Sequence, residues 1–228
     1  MDNLHSIGVL AIPGFALMSH AALTEPLRAA TLLGAAPPYA VDTFCPGDVP
    51  AAASQGVTVA PTRPLAEAGG VGRLFVVAGG QPEHFDDAGT LAALRRADRA
   101  GVTLGGVSGG PVVLARAGLM TGRRMTVHWE HADALREIAP DAALDRALYV
   151  IDRGRITCAG GTAPMDMMHA LIAADHGAAL ARAVSDWFLH TEVRPAAGPQ
   201  RAGLAERLGT THPALLEAAA ALEAETAQ

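Results

Sequence analysis

The chain has 228 residues, half of them apolar and 18% charged, with a formal net charge of −6. That is enough chain for one large buried core, and no apolar run reaches the length of a membrane span. A domain this acidic is ill suited to hold a nucleic-acid phosphate backbone by itself. Cys45 and Cys158 lie far apart with no C-x-x-C spacing, and "MDNLHSIGVLAIPGF" lacks the basic start of a signal peptide. The expectation is a cytoplasmic protein with free thiols.

In chain order, short apolar runs bounded by glycine alternate with helical stretches. "SIGVLAIPGF" reads as a first buried strand, and Ala21 to Leu33 as a helix. "YAVDTFCP" and "RLFVVAGG" read as further strands, followed by a helix over Thr90 to Ala100. "GVTLGGVSGG" is another strand, and Pro111 to Ala117 a helix leaving it. Helices are also expected at Trp129 to Ile138 and Pro164 to Ala174, on either side of the strands "LYVIDRG" and "RITCAGG". Several strands lack in-out alternation, which fits burial on both faces. Strands alternating with helices imply an α/β fold, a mostly parallel sheet with helices on both faces in a flavodoxin-like sandwich. Asp152-Arg153-Gly154-Arg155 joins its two strands as a late β-hairpin.

The character changes near residue 195. "AAGPQRAG" reads as a linker, and "THPALLEAAAALEAETAQ" as a helix capped at Thr211 or His212 with Pro213 near its first position. That helix has no stop signal before Gln228, as if the chain were cut at a boundary. The expected division is a ligand-binding domain over 1–195 and a linker with terminal helix over 196–228.

Gly106-Val107-Ser108-Gly109-Gly110 fits the G-x-S-x-G pattern of a nucleophile elbow. A residue at such a strand-to-helix turn is held in a strained conformation at the carboxyl edge of the sheet, where parallel sheets bind ligands. The amide of Gly109 at the helix start, and those of Gly79 and Gly80 in a second glycine turn, are candidate donors to an anion or oxyanion. A working serine needs a base. His128, His131, His169, His176 and His190 are available, as are Asp133, Asp145, Asp152 and Asp166, and nothing in the sequence selects a pair. His128, Trp129 and Glu130 form either a helix start with the indole packed on the sheet or a polar and aromatic wall of the pocket. Trp187 reads as core. With no P-loop, no G-x-G-x-x-G in the first βα unit and no H-E-x-x-H, neither a nucleotide cofactor nor a metal is expected.

The order "VVAGG", "GGVSGGPVVLARAGLMTGRRMTVHWEHADAL", "LYVIDRGRITCAGGTAPMDMMHALI" and "DHGAALARAVSDWFLHTEVRP" resembles the class I glutamine amidotransferase-like, or ThiJ/PfpI, superfamily. More narrowly it resembles the sensor domain of the GlxA-like branch of AraC/XylS-type transcription regulators. The resemblance covers roughly residues 5 to 195, and the tail resembles the linker before that branch's helix-turn-helix domain. "SDWFLHTEVRPAAGPQR" resembles regulators of betaine, carnitine or arginine metabolism.

Enzymes of the superfamily, such as isonitrile hydratases, carry a cysteine at the elbow and an aspartate in the first βα loop. Here those positions hold Ser108 and Ser19, with Glu25 retained further along. A serine hydroxyl needs a positioned base where a thiolate does not. The resemblance therefore implies a site that binds without chemistry. Its small-molecule effector would be a zwitterion such as a betaine or amino acid, with Trp129 facing a cationic head and Glu25 or Glu130 balancing the charge. Ser19, Glu25, Gly79, Gly80, Ser108, Gly109, His128, Trp129, Glu130 and Thr162 are the candidate ligand-binding residues. By resemblance a homodimer is expected, contacting DNA only through a domain absent from this chain. The alternatives are an isonitrile hydratase-like or serine hydrolase-type enzyme using Ser108, and a stand-alone binding or chaperone-like domain.

Overall fold

The computed structural model describes residues 5 to 225. The last residues of the expected terminal helix, 226–228, and the first four of the segment read as lacking a signal peptide lie outside them. The chain separates into two compact units, Met1–Gly198 and Pro199–Gln228.

In the first unit, β1 (His5–Ala11) leads into α1 (Leu17–Leu32), then β2 (Tyr39–Phe44), the short β3 (Ala51–Ala52) and β4 (Thr58–Val59), and β5 (Arg73–Ala78). There follow α2 (Ala88–Arg99), β6 (Thr103–Ser108), α3 (Gly110–Arg116), β7 (Arg124–Met125) and α4 (Ala132–Ile138). The unit ends with β8 (Ala143–Leu144), β9 (Tyr149–Asp152), β10 (Arg155–Cys158), α5 (Ala163–His176) and α6 (Ala178–Trp187). The second unit holds α7 (Leu204–Leu208) and α8 (Pro213–Glu225).

A six-stranded sheet runs β2-β1-β5-β6-β10-β9. Every neighbouring pair is parallel except β9 and β10, which pair antiparallel with Arg155 opposite Asp152. Arg153 and Gly154, both at positive φ, turn that hairpin, because the turn needs left-handed backbone at its centre. Both faces of the sheet are covered. Ile7, Val9, Phe75 and Val77 pack with Leu23, Leu27, Met167 and Ile172 on the face of α1 and α5. Leu10, Leu74 and Val76 pack with Leu94, Val112 and Val113 on the face of α2 and α3. The period-two alternation of strand side chains thus feeds two cores at once, which is why the strands read as nearly continuous apolar runs.

Two expectations need correction. The helix expected over Trp129 to Ile138 is split into a 3₁₀ turn at Trp129–His131 and α4. Trp187 is not core: it is 54% exposed at the end of α6. The buried stripe of that helix runs through Ala181, Val184 and Ser185, and Trp187 falls beside it.

Candidate functional site

β6 ends at Ser108, whose φ is +59°. For a residue with a side chain that is a costly conformation, on the order of 1–2 kcal/mol. The glycines around it make the turn possible. A methyl group on Gly110 would lie 2.0 Å from the Val76 carbonyl oxygen, and one on Gly106 would lie 2.5 Å from the Pro111 nitrogen. Strand and helix can therefore meet at this angle only if both positions lack a side chain.

Ser108 is buried, as is Ser19 on the first turn of α1. The two converge on the loop between β10 and α5. A methyl group on Gly160 would lie 2.6 Å from Ser108 Cβ and 3.0 Å from Ser19 Oγ, so Gly160 passes in contact with both serines. The Gly161 N–H donates to Ser19 Oγ at 2.8 Å. On the other side, the His128 N–H donates to the Ser108 carbonyl at 3.3 Å. Gly79 closes the β5 turn onto the β1–α1 turn, where a methyl group would meet the Gly14 carbonyl oxygen at 2.8 Å. Gly80 sits beside it at φ +63° with open space around it.

Among the described residues, no histidine or carboxylate is hydrogen-bonded to the Ser108 hydroxyl. The ring of His128 is turned to its own segment: Nδ1 accepts the Glu130 N–H at 3.3 Å and lies 3.6 Å from Glu130 Oε2. Burial lowers the pKa of His128, which Glu130 only partly opposes, and burial also lowers that of His131. His190, another candidate base, is bonded to Asp166 instead, at 2.9 Å. The thiols offer no substitute nucleophile. Cys158 is fully buried, and burial pushes its pKa up to about 12.

The Gly109 amide corrects an expectation. It donates to the Ala78 carbonyl at 3.0 Å, extending the β5–β6 ladder by one rung, so it is not a free anion donor. Pro111 has no N–H, and the Val112 amide donates to Gly109. The elbow therefore offers fewer free amides than a helix start implies.

Glu25 is not brought to the serines. It lies six residues along α1 and forms an ion pair of 2.7 Å with Arg28 at the helix surface. Trp129 is 44% exposed and lies beside the His128 ring, with centroids 5.4 Å apart. An indole this exposed is not packed away on the sheet. Thr162 is exposed and accepts from Arg194 Nη2 at 2.9 Å.

Sequence reading missed His20, next to Ser19. Its buried Nε2 has no hydrogen-bond partner among the described residues, and burial lowers its pKa. It also missed Gly160 and Gly161, whose glycine pair was the available signal, and Arg194, which had none. An open groove of about 700 Å³ lies apart from the serines, along β9, between Arg124, Arg146, Tyr149 and Ala196.

The family model described as DJ-1/PfpI matches residues 6–174. The HTH-type transcriptional regulator GlxA of Rhizobium meliloti is 47% identical over 215 residues, covering 94% of this chain and 66% of that protein. The HTH-type transcriptional regulator CdhR of Pseudomonas aeruginosa is 40% identical over 217 residues, covering 95% of this chain and 64% of that protein. The chain thus spans less than two thirds of the length of these relatives. A solved AraC family transcriptional regulator from Pseudomonas putida superposes with a TM-score of 0.73 at 22% identity, over 81% of this chain and 99% of that one. DJ-1beta of Drosophila melanogaster superposes with a TM-score of 0.67 at 18% identity, over 81% of this chain and 97% of that one. These two structures share its fold.

Proposed function

The chain belongs to the DJ-1/PfpI family, and from that premise we propose that it is the effector-sensing part of a helix-turn-helix transcription regulator, binding a small metabolite without transforming it. The observation that carries this reading is the serine pair. Ser108 holds the strained elbow position, and among the described residues no base is bonded to its hydroxyl. Ser19 stands where the family's enzymes carry an acid, and it receives the Gly161 amide instead. Two buried hydroxyls can bind a carboxylate, but they cannot activate each other as a thiolate and an acid would. The regulators of the same family that match almost the whole chain support the same reading.

The effector is a zwitterion such as a betaine or an amino acid. The serine hydroxyls would take its carboxylate. The exposed indole of Trp129 and the carboxylate of Glu130 would take its cationic head. Glu25 has no part in this arrangement. In this reading residues 1–195 bind the effector, the chain from 196 onward leads toward a DNA-binding domain, and the protein works in the cytoplasm as a homodimer. A thermal-shift screen with betaines, carnitine, basic amino acids and polyamines tests it. A ligand at about a hundred times its dissociation constant stabilises the fold by roughly 2.7 kcal/mol. A zwitterion that raises Tm in the unaltered chain but not in Ser108→Val supports the reading. A panel with no shift counts against it.

A further inference from the structure

The loop that carries Gly160 and Gly161 is tied at both ends to one stretch of chain, His190 to Ala196. At its far end, the Thr162 hydroxyl accepts from Arg194 Nη2 at 2.9 Å. Arg194 is fixed in turn by Asp166. Its backbone N–H donates to Oδ1 at 2.8 Å, and Nε and Nη2 donate to Oδ2 at 3.0 and 2.7 Å. Asp166 is fully buried on α5, and His190 Nε2 reaches its Oδ1 at 2.9 Å. At the near end, the Ala159 N–H donates to the Leu148 carbonyl, and the Leu148 N–H donates to the Ala196 carbonyl, both at 2.8 Å. The same loop touches both serines of the candidate site.

We infer that Arg194 is a positioning residue for this site: through Thr162 it sets the Gly160–Gly161 loop against Ser19 and Ser108. The 190–196 stretch is then a strap whose order follows the state of the pocket. The physical reason is the shared loop. Ser19 Oγ accepts the Gly161 amide, and its own proton remains free for a ligand. A carboxylate accepting that proton polarises the hydroxyl and strengthens the Gly161 bond. A firmer Gly161 holds Thr162, and Thr162 holds one guanidinium nitrogen of Arg194. A charge-assisted bond to a fully buried carboxylate makes the strap's attachment strong and directional. What the strap reports rests on the sensing reading above. That the loop and the strap are coupled does not.

The coupling is measured without ligand, by hydrogen–deuterium exchange and mass spectrometry on the full chain. Thr162→Val removes the acceptor at an exposed position and leaves the core intact. It is expected to speed exchange across 190–196 and at Gly161 about fivefold. Ser19→Ala, at the other end of the chain of bonds, is expected to speed exchange in the same 190–196 peptide, while β1 and β5 keep their protection. An unchanged 190–196 peptide in either variant overturns the inference. So does a uniform rise across β1, β5 and β6, which would mean general loosening rather than a specific link. A ligand panel without a binder would sink the sensing reading and leave this result untouched.

Discussion

The two ends of the central sheet differ in how they handle charged groups and backbone strain. At the amino end, Tyr39 and Arg73 at the starts of their strands meet Asp175 near the end of α5. The carboxylate accepts the Tyr39 hydroxyl at 2.8 Å and two guanidinium nitrogens at 2.6 and 2.7 Å. Burial by itself would raise the pKa of Asp175, but the bonds from Arg73 and Tyr39 outweigh it and hold it below the usual carboxylate range. The charged groups there match one another, although the buried Nε2 of the neighbouring His176 has no hydrogen-bond partner among the described residues. At the carboxyl end, Ser108 occupies a strained conformation and, among the described residues, no histidine or carboxylate is bonded to its hydroxyl, while the buried His20 nitrogen is unmatched. Polar groups that complete each other close a structure. Polar groups left with capacity to bond, on strained backbone, are what a ligand can complete.

Substitutions at the two ends should therefore separate stability from binding. Gly160→Ala has the largest expected effect. It forces a side chain onto φ +87° and drives a methyl group against Ser108. The cost is about 2–4 kcal/mol, with ligand-induced stabilisation lost altogether. Arg73→Ala at the other end should cost about 2–3 kcal/mol by breaking the Asp175 pair, since a quarter of the arginine side chain (25%) remains in water. It should leave the ligand response intact. Chemical denaturation with and without ligand measures both.

Acidification should separate the ends by pH. Burial lowers His20, His128 and His131, so the unfolded chain binds their protons first. Their contribution to stability is complete above the ordinary value of about 6.5 and fades as pH falls through their folded values. Asp175 follows the same sign further down: its contribution holds above about 4 and is lost below. Tm should fall in two stages. His128→Gln should blunt the first, and Asp175→Asn the second.

Ser108→Gly has the smallest expected effect and the opposite sign. Relief of the left-handed backbone should stabilise the fold by about 0.5–1 kcal/mol while weakening ligand binding. A gain in stability bought by loss of binding marks a position kept for function.

The sequence made the main sheet legible because apolar runs without alternation, such as "RLFVVAGG", have few other uses. The β9–β10 hairpin was legible from Asp152-Arg153-Gly154-Arg155, and the elbow from the glycines about Ser108. The two-residue strands β3, β4, β7 and β8 were not, being too short for any period to show. The opening of α6 was hidden because Gly177 ends one helix and immediately precedes the next. Ser19 entered the candidate site through the family resemblance alone. The tie from Asp166 to Arg194 spans 28 positions, and no local pattern announces it. Trp187 failed for the reverse reason: bulk suggested core, while the helix phase put it outside.

The central claim is that Ser108 binds and does not attack. Incubating the unaltered chain with each compound of the panel, isonitriles included, and weighing the products by mass spectrometry tests it most directly. The expected result is that every compound is recovered unchanged, including any that raises Tm. Conversion of a compound, abolished by Ser108→Ala, would contradict the claim and make the serine a nucleophile.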